Sequence, residues 1–201
     1  MGVTEEYDKN QLTAWKSWNL VASAIILFND VQPELQSNIT RFIPSEPFPK
    51  LMDIYEVAAH QNDFVAILNA DIVVMPQFVN VERKLKARKA IACSSWRWQF
   101  TPPDTSKIEV VDPGLDFFAA TPEVWGQCYN DVEETLRLGS VQWDSWQLGW
   151  FCAKAAKGFL DITPTRTILH PKHGNRQYGP PPPQPPHFHA WPTMSPVSIR
   201  L

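Results

Sequence analysis

The stretch that decides the fold of this chain is Phe64-Val65-Ala66-Ile67-Leu68-Asn69-Ala70-Asp71-Ile72-Val73-Val74-Met75. Its apolar residues run without a break up to Asn69, as in a strand that is buried on both faces of a sheet. Asn69 and Asp71 then interrupt the run, and side chains two residues apart in a strand point to the same face. The pattern predicts a central strand that carries an amide and a carboxylate side by side near its carboxyl end.

Asp71 is the first candidate for a functional residue, because a carboxylate is costly to bury unless its charge is compensated. Ligands of open α/β sheets collect at the carboxyl ends of the strands. Carboxylate and phosphate oxygens suit a hard divalent cation such as Mg²⁺ or Mn²⁺. The alternative is that Asp71 caps a turn, or caps the helix that starts near Pro76.

The composition indicates one globular domain with a hydrophobic core. The chain has 201 residues, of which 44% are hydrophobic and 19% are charged, and this argues against general disorder. A net charge of −3 provides no overall positive field that would demand nucleic acid or an anionic membrane as partner. Cys93, Cys128 and Cys152 form no CxxC pair, which indicates reduced thiols. No signal-like segment or membrane-length apolar run occurs, so we expect a soluble cytoplasmic protein without membrane insertion.

Helical and strand patterns alternate along the chain, which is typical of the α/β class. Helices are predicted over residues 8–19, 49–60, 76–88, 122–130 and 143–157. Strands are predicted over residues 21–28, 41–43, 91–100, 108–112, 115–120, 159–162 and 166–170. Pro113-Gly114 is a turn signal, and only Val3-Thr4 is available for a first strand before the first helix. We expect a folded domain over residues 1–178 and a Pro-rich, extended or mobile tail over residues 179–201.

Two further carboxylates stand among apolar residues. Asp116 lies between Leu115 and Phe117, so we expect it to be buried and to need a partner, and the simplest partners are backbone amides of a neighbouring loop. Asp144 stands in the first turn of a predicted helix and between two tryptophans. It can serve there as a general base in a partly dry cleft, or it can simply cap the helix.

A polar loop near the end of the predicted domain contains His170, Lys172, His173 and Arg176. Either histidine can supply a nitrogen ligand to a cation bound by Asp71, although a lone histidine is more often a surface or core residue. Lys172 or Arg176 can place positive charge against a diphosphate.

No Gly-rich phosphate loop of the Walker type, GxSxG elbow or CxxC zinc pattern occurs in the sequence. Phosphate binding would therefore have to depend on a metal and on cationic side chains. The predicted helix 76–88 and the residue after it hold a run of cations, Arg83, Lys84, Lys86, Arg88 and Lys89. A solvated helix face explains this run most simply, and a phosphate-facing surface is the alternative.

Taken in order, these segments resemble the nucleotide-sugar-dependent glycosyltransferases of the GT-A fold. The resemblance covers roughly residues 3–176 and lies in Ser17-Trp18, LFND, ILNADI, GLDFFAATPEVW, QWDSWQL and the late histidine loop. Asn69-Ala70-Asp71 stands in the place of that fold's Asp-x-Asp signature, with Asn at the first position. The resemblance implies a mixed, mostly parallel sheet that is flanked by helices.

The resemblance also implies an activity, the metal-dependent transfer of a sugar from a UDP-sugar, such as UDP-glucose, to an acceptor hydroxyl. Asp71, with His173 or His170, would bind the Mn²⁺ or Mg²⁺ that bridges the diphosphate. Asp144 would be the catalytic base, and Asp116 would be a second catalytic candidate that faces the donor sugar or the acceptor.

The resemblance assigns further residues to donor binding. Asn69 would contact the ribose or the sugar, and Lys172 and Arg176 would lie against the diphosphate. The first strands of the fold hold the nucleoside, which falls on Thr4 and on Asn29.

The acceptor stays open at this point. It can be a glycan or small molecule, or a hydroxymethylated pyrimidine in DNA, as in the compact glycosyltransferases of phages. A second hypothesis is a catalytically inactive nucleotide-sugar-binding module, since Asn69 and the short first strand depart from the family pattern. A third is an α/β interaction protein whose Pro-rich tail binds an SH3-like partner, which leaves the buried carboxylates unexplained.

Overall fold

The computed structural model describes residues 2–29, 39–45, 48–102, 104–138 and 143–172. Its helices are α1 Gly2–Trp18, α2 Leu51–Ala59, α3 Phe78–Ala87, α4 Pro122–Asp131 and α5 Trp143–Lys154, and a short 3-10 helix covers Thr163–Thr165. Its strands are β1 Ile25–Asn29, β2 Ile39–Pro44, β3 Val65–Leu68, β4 Val73–Val74, β5 Ala92–Phe100, β6 Ile108–Ala120, β7 Phe159–Asp161 and β8 Ile168–Pro171. The predicted helices over 49–60, 122–130 and 143–157 are confirmed to within about three residues at each end.

The main sheet has six strands in the order β3-β6-β5-β8-β4, and β7 pairs with β5 beside β8. β1 and β2 form a separate parallel pair. In the described part of the main sheet, β6 is antiparallel to β3 and β5, β4 is antiparallel to β8, and β5 is parallel to β7 and β8. The mixed sheet is confirmed, but antiparallel pairings outnumber parallel ones. The short connection between β5 and β6 explains this, because a parallel pair needs a crossover of a dozen or more residues.

Helices cover both faces of this sheet, as the α/β class requires. One hydrophobic cluster joins α2, α4 and α5 to Phe118 and Ala120 of β6, and another joins α3 to Phe117 and Ala119 of the same strand. The alternation along β6 follows from the period of two in a strand. The α/β prediction is confirmed.

The residues that were available for a first strand before the first helix do not form one. Val3 and Thr4 lie in α1, which begins at Gly2. No Gly or Pro interrupts the sequence between Val3 and Trp18. The helix therefore begins closer to the amino terminus than residue 8, the predicted first residue.

The central stretch 64–75 is not one strand. It divides into β3 and β4, and the turn between them is closed by a hydrogen bond from Ile72 N to Asn69 O of 3.2 Å. Asn69 and Asp71 are therefore turn residues, and strand alternation does not relate their side chains. A turn is the local conformation that Asn and Asp favour.

The turn predicted at Pro113-Gly114 is also wrong, because β6 continues through it. The strand register shifts there. Ser95 pairs with Phe117 and Arg97 pairs with Asp112, so residues 113–116 of β6 lie opposite Trp96 alone. The Pro-Gly signal thus marks a β-bulge, in which one strand holds extra residues and bends.

Within the described ranges, no helix has both the length and the apolar character that a bilayer-spanning segment needs. Cys93, Cys128 and Cys152 are free thiols. The predicted tail and the residues His173 and Arg176 lie outside the described residues.

Candidate functional site

Strand pairing brings residues from distant parts of the chain together near the carboxyl end of β3. The β4–β8 register, with Val73 opposite Leu169, places the turn before β4 beside His170. The β3–β6 register, with Leu68 opposite Phe117, places Asn69 beside Asp116. Five polar side chains meet here, and we refer to them as the polar cluster: Asn69, Asp71, Arg97, Asp116 and His170.

Asp116 is buried, as its apolar neighbours predict. Its Oδ1 accepts a hydrogen bond of 2.8 Å from Nδ2 of Asn69, and its Oδ2 accepts one from Nη1 of Arg97, with which it forms an ion pair. The backbone N–H of Asn69 also donates to the carbonyl oxygen of Asp116, at 3.3 Å. The partners of this carboxylate are therefore side chains, and not the backbone amides of a loop that the simplest interpretation predicts.

The bulge in β6 positions the Arg97 guanidinium. A Cβ atom added at Gly114 would lie 2.4 Å from Cζ and 2.5 Å from Nε of Arg97. These distances are far below van der Waals contact, so the guanidinium occupies the space that the glycine leaves. Bulges commonly redirect side chains next to functional sites.

Asp71 and His170 form the second pair of the polar cluster. The distance from Nε2 of His170 to Oδ2 of Asp71 is 3.4 Å, and each side chain is 10% exposed. When the imidazole is protonated the contact is an ion pair. Two ligands of one cation, each about 2.1 Å from it, are also separated by roughly 3.0–3.4 Å. The pair therefore fits joint ligation of a cation as well as direct contact.

The two pairs lie in one electrostatic environment. Burial raises the pKa of Asp116, the positive charges of Arg97 and His170 lower it, and the nearby charge of Asp71 raises it. The net shift is upward, because desolvation is the largest of these effects. Asp71 and His170 therefore lie close enough to Asp116 to influence its protonation.

A metal ion would find two protein ligands here. Among the described residues, no group of three His, Cys, Asp or Glu side chains is arranged to hold a metal. Mg²⁺ in nucleotide sites is commonly bound by one or two carboxylates, by waters and by substrate phosphates. Asp71 and His170 fit such a site, and His173 lies outside the described residues.

Among the described contacts, no hydrogen bond or ion pair links Asp144 to the polar cluster. Its Oδ1 accepts a hydrogen bond of 2.8 Å from the backbone N–H of the next residue, Ser145, within the first turn of α5. The preceding Trp143 packs edge to face on Phe118, which follows Asp116 by two residues, with ring centroids 5.5 Å apart. The amino end of α5 thus packs against β6 close to the cluster.

The remaining predicted donor-binding residues lie elsewhere or outside the described part. Lys172 is exposed, and its Nζ lies 3.0 Å from Oε2 of Glu109. Thr4 is in α1 and Asn29 ends β1, and the side chains of both are outside the description. Arg176 is outside it altogether.

Arg97 is the member of the polar cluster that sequence reasoning misses. It stands between Trp96 and Trp98 in a predicted strand. A lone charge in an apolar strand is the same signal that identifies Asp71 and Asp116, since a buried charge needs a partner. Applied to residues 91–100, this signal would have found it.

The cations of α3 are exposed. Nζ of Lys86 lies 2.8 Å from Oε1 of Glu82 and 3.6 Å from Oδ1 of Asp63. Arg83 donates a hydrogen bond to Oδ1 of Asn80. These local contacts favour the solvated-face interpretation.

Comparison with known protein families and with curated proteins found no match. The function therefore has to be inferred from the polar cluster itself. A buried carboxylate–imidazole pair beside a partly exposed guanidinium suits a divalent cation together with an anionic, phosphate-bearing ligand.

Proposed function

We propose that this protein is a metal-dependent glycosyltransferase of the GT-A type, which transfers a sugar from a UDP-sugar such as UDP-glucose to an acceptor hydroxyl. The observation that carries the proposal is the buried contact between Asp71 and His170, two of the residues that the resemblance assigns to the metal. A carboxylate and an imidazole from distant segments meet beside the residue that replaces the first Asp of the signature, Asn69.

Asp71 Oδ2 and His170 Nε2 would hold the Mn²⁺ or Mg²⁺, and the bound cation would neutralise charge on the departing nucleoside diphosphate. The low exposure of both side chains limits competition from water. Asp116 orients its neighbours, since its two carboxylate oxygens hold the Asn69 amide and the Arg97 guanidinium. These contacts favour a positioning role for Asp116 over direct proton transfer.

Asp144 is the proposed general base. Oδ1 is engaged by the Ser145 backbone, and Oδ2 would take the proton of the acceptor hydroxyl. The hydroxyl oxygen then forms a bond to the anomeric carbon as the bond from that carbon to the diphosphate oxygen breaks. The proton remains on Asp144, and UDP leaves with the electron pair of the broken bond.

The acceptor is either a glycan or small molecule, or a hydroxymethylated pyrimidine in DNA. The ion pairs of Lys86 reduce the charge that α3 offers to a phosphate backbone, so α3 does not favour DNA. Free thiols at Cys93, Cys128 and Cys152 support a reducing compartment, which we take to be the cytoplasm of a bacterium or of a phage-infected cell.

Replacing Asp71 tests the proposal. We expect Asp71→Asn to lower Mn²⁺-dependent release of UDP from a panel of UDP-sugars by about a hundredfold or more, because an amide is a much weaker ligand for a hard cation than a carboxylate. Asp63→Asn is the matched control, since Asp63 is exposed and paired only loosely with Lys86. Near-normal turnover in folded Asp71→Asn would refute the metal assignment.

One contact favours a second candidate, the inactive nucleotide-sugar-binding module. The Asn69 amide is already bound to Asp116, so this signature position is engaged within the protein. Tight binding of UDP with no release of UDP from any UDP-sugar, with any acceptor and either metal, would identify the module.

A further inference from the structure

We propose that Arg97 is a ligand-binding residue that contacts the phosphate groups of a nucleoside diphosphate, and that Asp116 and Gly114 hold its guanidinium in place for this contact. The choice of a diphosphate rests on the proposed function. The first two arguments for an anion-binding position at Arg97 are geometric, and the third depends on the proposed metal.

Accessibility is the first argument. The Arg97 side chain is 22% exposed, whereas those of Asp71, Asp116 and His170 are each 10% exposed. An anionic group that approaches the polar cluster from solvent therefore reaches the guanidinium most easily. The two carboxylates are less exposed and would repel such a group.

Orientation is the second argument. Nη1 is fixed by Oδ2 of Asp116, and the guanidinium plane lies against the bare Cα of Gly114. A planar guanidinium with several N–H donors binds phosphate oxygens in pairs, and prior fixation reduces the entropy that is lost on binding. The β-bulge at residues 113–116 interrupts the regular pairing of β5 and β6 at this position.

Charge balance is the third argument. Asp71 and Asp116 together carry two negative charges when they are ionised, and Arg97 neutralises one of them. Adding a divalent cation at Asp71 would give the cluster a net positive charge, which favours an anion over a neutral ligand. Removing Arg97 would eliminate that excess.

The test measures binding without catalysis. Isothermal titration of UDP and of uridine, in the presence of Mg²⁺, compares the wild type with Arg97→Gln and Arg97→Lys. We expect UDP affinity to fall about tenfold to a hundredfold in Arg97→Gln and less in Arg97→Lys, because charged hydrogen bonds to phosphate are lost. Uridine, which lacks phosphate, should bind all three proteins alike. Arg166→Gln is the matched control, since that guanidinium lies over the neighbouring Trp98 ring, 4.7 Å from its centroid.

Arg97→Gln leaves Asp116 buried without its charged partner and can prevent folding. The double variant Arg97→Gln with Asp116→Asn removes both charges and tests the same contact in a folded protein. An equal loss for UDP and uridine, unchanged UDP affinity, or no UDP binding by the wild type would each overturn the proposal. UDP binding that depends on Arg97 without any sugar transfer would support it while refuting the glycosyltransferase.

Discussion

Gly114 shows how a single missing side chain shapes the candidate site. In Gly114→Ala the added Cβ would lie within 2.7 Å of Nε, Cζ and Nη2 of Arg97, so the guanidinium must shift, and we expect this shift to break its contact with Asp116. A buried carboxylate then loses its charged partner, and we expect the free energy of unfolding to fall by about 1–3 kcal/mol. Urea denaturation followed by tryptophan fluorescence measures this change.

Gly126 provides the control for that prediction. It lies inside α4, and the nearest neighbour of an added Cβ would be Cβ of Ala59 at 3.7 Å, an ordinary contact. Gly126→Ala should therefore raise the free energy of unfolding by about 0.5–1 kcal/mol through helix propensity. Equal effects of the two substitutions would show that the Arg97 contact has no special energetic role.

At this scale the sequence identifies which residues are unusual but not what they touch. The burial of Asp71 and Asp116 follows from their apolar neighbours. The partners of Asp116 do not, because Arg97 is nineteen positions away and its guanidinium reaches the carboxylate only through the β5–β6 register and the bulge.

Among the helices, one buried hydrogen-bonded chain connects α2, α5 and α4. The Tyr55 hydroxyl donates to Oε1 of Gln147, and Nε2 of Gln147 donates to Sγ of Cys128 at 3.6 Å. We expect Gln147→Leu to cost about 1–3 kcal/mol, since it leaves the buried hydroxyl without an acceptor. Tyr55→Phe in the same background should recover much of that loss, because both polar partners are then replaced by apolar groups.

A double-mutant cycle from thermal or urea unfolding tests this coupling. Additive effects of Gln147→Leu and Tyr55→Phe would contradict it. Tyr55 also stacks on Trp125 with ring centroids 5.3 Å apart, and phenylalanine retains that packing, so the cycle isolates the hydroxyl.

Helices are the elements that the sequence predicts best, because a helix satisfies its hydrogen bonds locally. The predicted helix 49–60 corresponds to α2, and the predicted helix 122–130 corresponds to α4, with Pro near the first turn of the latter. Strand patterns are harder to divide. Residues 64–75 read as one strand, but their neighbours β6 and β8 pair with different halves of the stretch.

For the whole molecule, the sequence predicts the α/β class but not the pairing of strands. The candidate site depends on that pairing. Asp71 meets His170 because β4 is antiparallel to β8, and this contact joins segments that have no local relation. The hydrophobic pattern restricts the register of a strand once its partner is known, but it does not say which distant strands pair or in which direction. The mostly parallel sheet is therefore an expectation that only a structure could correct.

Stability at alkaline pH is a property of the whole fold, because it depends on ionisable groups that are buried in the hydrophobic clusters on both faces of the main sheet. Burial raises the pKa of Cys128 to about 12, from 9.0, raises that of Cys93, and raises that of Tyr55 well above its usual 10.0. These groups keep their protons in the native state and release them when the chain unfolds. Their contribution is therefore fully present below about pH 8 and is lost as the pH rises.

Each buried thiol should reduce the free energy of unfolding by about 1.4 kcal/mol between pH 8 and pH 10, since the unfolded thiol is mostly ionised at pH 10. Urea unfolding at both pH values measures the loss. In Cys128→Ala the loss should be smaller by that amount, because alanine does not titrate. An identical pH dependence in wild type and Cys128→Ala would mean that Cys128 ionises equally in the native and unfolded states. That result is incompatible with a thiol buried between α4 and α5.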